Sequence, residues 1–202
     1  MAFLTQNASG EAAVIGSFVR NQLAQVRSTV HGLTDEQWHQ RSTVSEFTLA
    51  ALVAHVGEVA EQYGVGIEAA VGGPADYSEG ITEGEGGPVT GRSGEDLLAE
   101  FDRRVAGFST LLERVESGVI PLDGLVPVPA AAWFPKDLTH WEVRWVLLHV
   151  ATEVARHAGH ADIIRESIDG KGAYELNALA DGEQWPPWGN GHWTDSEWTG
   201  GE

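Results

Sequence analysis

Four residues in one stretch of the chain have the types and spacing to do chemistry. Glu153 and His157 lie four residues apart, His149 lies four before Glu153, and His160 follows three after His157. On a helix, residues four apart stand one above the other, with Cβ atoms about 5–6 Å apart. A carboxylate and an imidazole so placed can both reach one small ion. Ordinary alternatives stay open. A histidine on a half-apolar helix usually packs or decorates the surface. A carboxylate beside an apolar stripe is costly to bury alone, and Arg156 is near enough to pair with Glu153. Glu-x-x-x-His by itself is common. It becomes informative when another helix adds a third ligand.

The element that must carry these residues runs from Thr139 to Gly170. Thr139 and Glu142 have capping-box spacing and predict a helix start. Asp169-Gly170 predicts its end. Val143, Val146, Leu147, Val150 and Val154 supply an apolar face at helical spacing. Three more helices are legible upstream. The first is capped by Ser9 and carries Ile15, Val19, Leu23, Val26 and Val30, with Gly32 closing it. A short turn of helix follows Thr34, in a second capping box with Gln37. The next long helix spans about Thr48 to Ala70. His55 lies inside it, at the border of the apolar face, where packing is its ordinary role. Residues 71–92 are Gly- and Pro-rich and read as a long loop. Ser93 starts the helix that carries Leu97, Phe101, Val105, Phe108 and Leu112 and stops at Ser117-Gly118. Residues 119–138 hold four prolines and predict an ordered, non-helical connection, with Trp133 and Phe134 packing over one end. No strong strand signal and no internal repeat is present. These elements predict an all-α four-helix bundle with long connections over residues 1–180. Residues 181–202 form a Trp/Gly-rich tail with Trp185, Trp188, Trp193 and Trp198. Aromatics of this size are seldom left in water, so the tail is expected to dock on the bundle or across a homodimer, with a disordered tail as the alternative.

Composition narrows the partners. A net charge of −18 over 202 residues disfavours nucleic acid and anionic membranes, because little Lys or Arg is available to replace counterions. The absence of cysteine excludes disulfides, thiolate metal sites and a cysteine nucleophile. No signal peptide is evident, and no apolar run approaches a membrane span. A cytoplasmic protein is the expectation.

The segments LAALVAHVGEV, around His55, and EVARHAGHAD, around Glu153 and His157, resemble the DinB-like superfamily. That superfamily includes the N-terminal domain of mycothiol-dependent maleylpyruvate isomerase. The longer RWVLLHVATEVARHAGHADIIRE is similar to an actinobacterial branch. The resemblance implies a four-helix bundle with one metal ligand, His55, on the second long helix, and two more, Glu153 and His157, on the last. The HAGH segment departs from the family's His-x-Gly-Gln by placing His160 where Gln is usual. His149 is expected as a fourth ligand, as a donor orienting the carboxylate, or as a packed ring, and His160 in a supporting or salt-bridging position. Two imidazoles and a carboxylate suit zinc first, with nickel or ferrous iron as alternatives.

Several proteins of this resemblance use the metal to ionise a low-molecular-weight thiol. In a chain without cysteine the sulfur must come from a cosubstrate such as mycothiol. The implied activity is a metal-dependent thiol S-transferase or isomerase acting on a small electrophile. A metal-dependent hydrolase and a non-enzymatic metal- or ligand-binding stress protein are the competing readings.

Overall fold

The computed structural model describes residues 5–74, 89–129 and 135–185. The chain forms α1 (Glu11–Thr29), α2 (Asp35–Trp38), α3 (Leu49–Ala69), α4 (Gly94–Glu116), β1 (Leu125–Pro127), β2 (His140–Glu142), α5 (Val143–Asp169) and α6 (Ala173–Ala180). The four long helices α1, α3, α4 and α5 make the bundle. Their predicted stripes are its core: Val19, Val26, Leu52, Val53, Val56, Val146, Leu147, Val150 and Val154 are completely buried. Each such side chain contributes on the order of 1.5–3 kcal/mol relative to exposure.

Cross-helix contacts fix the directions. Arg144 pairs with Glu11 at 2.8 Å, and Arg165, near the other end of α5, donates to the Thr29 carbonyl at 2.7 Å, so α1 and α5 run parallel. Arg20–Glu116 at 2.6 Å and Arg27–Asp102 at 2.8 Å make α1 and α4 antiparallel. Arg104–Glu61 at 2.9 Å, with Arg114–Glu68 further along, makes α3 and α4 parallel. Two consecutive parallel helices need a connection that returns along the bundle. The 23 residues of α4 rise roughly 34 Å, which an extended chain crosses in about ten residues. The connection over residues 70–93, which contains the Gly/Pro-rich stretch, is more than long enough for that.

Helix boundaries follow from local chemistry. The Thr34–Gln37 capping box forms both of its hydrogen bonds. The side chains of Thr48 and Ser93 accept from the amides of Ala51 and Asp96. Gly170, at φ 80°, ends α5 in the left-handed conformation that glycine adopts without strain. Ser9 is not the cap of α1. Gly10, at φ 87°, occupies that position and makes no side-chain bond.

The Thr139–Glu142 box does not form either. Residues 140–142 are extended and pair antiparallel with β1, with Val126 opposite Trp141 and both buried. The helix starts only where this pairing stops. Its first amides are satisfied by the chain before β1: Val143 donates to the Gly124 carbonyl and Arg144 to that of Leu122, each at 2.9 Å. Backbone carbonyls thus replace the expected side-chain cap.

The sequence reading missed α6. It packs against α1 through a buried reciprocal amide pair, Gln25 Nε2 to Asn177 Oδ1 at 3.1 Å and Asn177 Nδ2 to Gln25 Oε1 at 2.7 Å. Nearby, Arg165 is 2% exposed. It satisfies its donors on the Thr29 and His31 carbonyls and on both oxygens of Asp169, as a buried cation must. Trp133, Phe134, Trp188, Trp193 and Trp198, expected to pack, lie outside the described residues. Among the described residues no helix is long and apolar enough to cross a membrane.

Candidate metal centre

α3 and α5 lie side by side and run antiparallel. Tyr63 meets His149 with ring centroids 5.2 Å apart, and His55 meets His157 at 4.7 Å, edge to face. This arrangement brings the third residue to the Glu-x-x-x-His pair. One ligand-competent atom each from His55, Glu153 and His157 lies within 4.8 Å of the others. No ion pair with Arg156 forms. Instead the Glu153 carboxylate meets its helical neighbour, with His157 Nε2 and Glu153 Oε1 3.1 Å apart. The two side chains are 15% and 34% exposed, sheltered by the helices yet reachable from outside.

The donor set fits a divalent transition ion. Two imidazole nitrogens and a carboxylate oxygen can bind one while leaving coordination positions open. Electrostatics keep His55 in the form a metal requires. Burial lowers its pKa, and the neighbouring His157 lowers it further, against the opposing pull of Glu153 and Glu58. A neutral imidazole is thus favoured, with its lone pair available.

Surrounding side chains divide the site into a closed end and an open end. Phe47 closes the first, with its ring centroid 6.2 Å from that of His55, 6.1 Å from His157 and 5.6 Å from His160. Toward the other end, a cavity of about 100 Å³ opens between α3 and α5. Glu58, Gln62 and Tyr63 line it from α3, and His149 faces them from α5, with His55 and Glu153 at its edge. The His149 ring is held in a stack: it lies on Trp145 at 5.1 Å and 8°, and Trp145 lies on Trp141 at 4.8 Å and 11°.

His149 and His160 therefore flank the cluster from opposite ends rather than joining it. Asp102, an acid on α4, is bound to Arg27 in the α1–α4 contact and stands apart from the cluster. The role of Phe47 was missed. Its position just before the cap Thr48 is that of a hydrophobic staple, a signal that would have marked it as packed. Glu58 and Gln62 follow His55 at i+3 and i+7. Only the direction in which α5 crosses α3 shows that they share its cavity.

A helical bundle with this cluster between facing helices belongs to the DinB-like class. The model of the mycothiol-S-transferase family matches residues 14–170. The chain belongs to the mycothiol-S-transferase family. No curated protein and no solved structure gives a significant match.

Proposed function

We propose that His55, Glu153 and His157 hold one divalent ion, zinc first, and that the protein transfers the sulfur of a mycothiol-like thiol to a small electrophile. The observation that carries this reading is the three-residue cluster itself, in a cysteine-free chain of this family. A divalent ion bound there supplies the positive charge that makes a thiol ionise near neutral pH. The chain's own groups do the rest. His55 and His157 contribute neutral nitrogens from two helices. Glu153 would add a carboxylate to the set and so moderate the charge that an ion brings to the site. Phe47 excludes water from one end. The cavity at the other end admits and orients the reactants, which is where positioning lowers the barrier.

Protein purified without a histidine tag is expected to carry one transition ion per chain. Its turnover of a chromogenic electrophile should require both that ion and a thiol, with mycothiol preferred over glutathione. Equal turnover without thiol would refute the transferase reading and place metal-dependent hydrolysis ahead.

A further inference from the structure

One side of α1 is covered along part of its length and open along the rest. Val14, Phe18, Gln25 and Thr29 follow at intervals close to whole helical turns, which brings them to the same side. Toward the end of α1 this side is closed. Arg165 donates to the carbonyl of the buried Thr29, and Asn177 of α6 pairs with the buried Gln25. Toward the start it is open: Phe18 is 49% exposed and Val14 37%. Leu148, 50% exposed, stands beside them on α5, one turn after Arg144, whose pair with Glu11 sets the two parallel helices level. The same region is poor in acids. Between Glu11 and Asp35 the chain has no Asp or Glu, and between Glu142 and Asp162 it has only Glu153, which turns toward α3.

We infer that residues 186–202 fold back over this face and seat tryptophan on Val14, Phe18 and Leu148, extending the contact that α6 begins. The course of the chain leads there. Near its end α5 meets Thr29, and by Asn177 the chain has come back to Gln25, so α6 travels toward the start of α1. Phe18 lies about 10 Å further along the same side. Residues 186–202 reach roughly 55 Å when extended, so the seat is accessible to Trp188, Trp193 and Trp198. Charge selects this face. The segment carries Asp195, Glu197 and Glu202 and no Lys or Arg, and in a chain of net charge −18 it meets least repulsion where acids are missing. On α4, by contrast, Glu95, Asp96 and Glu113 are exposed. Tethering favours the chain's own segment over a second copy: a short linker gives a millimolar effective concentration, whereas two copies of this charge repel. Both α6 and this segment lie beyond residues 14–170, which the family model matches, so the cover is an addition to the shared bundle and is independent of the proposed reaction.

The test uses the full chain, in which the absence of cysteine lets one introduced thiol carry bimane, a dye that contact with tryptophan quenches. Ser17→Cys places the dye next to Phe18, and Thr110→Cys places it on the exposed side of α4. Ending the chain after Trp185 keeps all of α6. It should brighten the dye at Ser17→Cys and leave the dye at Thr110→Cys unchanged. Replacing Trp188, Trp193 and Trp198 by Ser in the full chain should do the same. In unlabelled protein the truncation should lower the melting temperature by about 4 °C, and by much less in a Phe18→Gln/Leu148→Gln variant, whose two changes lie at exposed positions and spare the core. Equal brightness at Ser17→Cys with and without residues 186–202, equal brightening at both positions, or an undiminished loss of melting temperature in the double variant overturns the inference. Quenching that fades on dilution, with elution as a dimer before dilution, assigns the face to the segment of a second copy and overturns the fold-back within one chain.

Discussion

His55 on α3 and His157 on α5 face each other edge to face, with ring centroids 4.7 Å apart, and Glu153 stands one turn from His157. Two imidazoles this close resist being charged together, and burial adds to that resistance at His55. His55→Ala and His157→Ala should each abolish stoichiometric binding of zinc while helical content, read by circular dichroism, stays near wild type. Full occupancy in either variant would show that the ligand set is wrong. The pH dependence has a definite sign. The folded pKa of His55 is depressed, so the unfolded chain binds the extra proton just below the ordinary value of 6.5. The metal-free protein should lose stability from this group as pH falls below about 6.5, and His55→Ala should remove that loss.

Asp162 has the opposite sign. Burial pushes its carboxyl up to about 6, Glu166 adds repulsion, and a hydrogen bond from Thr29 opposes the rise. Between about 3.8 and about 6 the folded chain holds a proton that the unfolded chain has released. The stabilisation is complete below that window and is lost as pH rises through about 6. Asp162→Asn keeps the shape without the charge. It should melt a few degrees above wild type at pH 7.5, of the order of 2–4 °C, with the gap closing toward pH 4. A gap that is constant with pH would mean that Asp162 is ionised throughout.

Much of the bundle was legible because its signals are local. The stripes of α1, α3, α4 and α5 recur every three or four residues, and the caps Thr34, Thr48 and Ser93 lie beside the helices they start. The errors arose where a distant segment decides. Thr139 and Glu142 have the spacing of a cap, but residues 140–142 are taken by a strand partner on the other side of a proline-rich connection. α6 follows Gly170 and Gly172, which read as the end of helix, and what holds it is Asn177 meeting Gln25 far back in the chain. The cluster shows the same division. Glu153 and His157 are visible as a pair from spacing alone. His55 needed the family resemblance, and the cavity residue Glu58 needed the antiparallel crossing of α3 and α5.

The C-terminal tail gives a third prediction. Residues 181–202 hold Trp185, Trp188, Trp193 and Trp198, a concentration of aromatic surface that is expected to dock on the bundle or across a dimer. Ending the chain after Glu183 keeps α6, its Gln25–Asn177 pair and the Gly182 and Glu183 amides that close the helix on the Leu179 and Ala178 carbonyls. This truncation should lower the melting temperature and increase binding of a hydrophobic dye. An unchanged melting curve together with an unchanged elution volume would show that the tail contributes to neither packing nor assembly.

The parallel pairing of α3 and α4 puts the long connection between them apart from the helix pair α3 and α5 that carries the candidate ligands. His55 lies on α3, Glu153 and His157 lie on α5, and the connection over residues 70–93 supplies none of them. Such a connection can be lengthened, trimmed or rewritten at a cost that grows only with the logarithm of its length. A change in the length of that connection therefore leaves the two helices that carry the candidate ligands as they are.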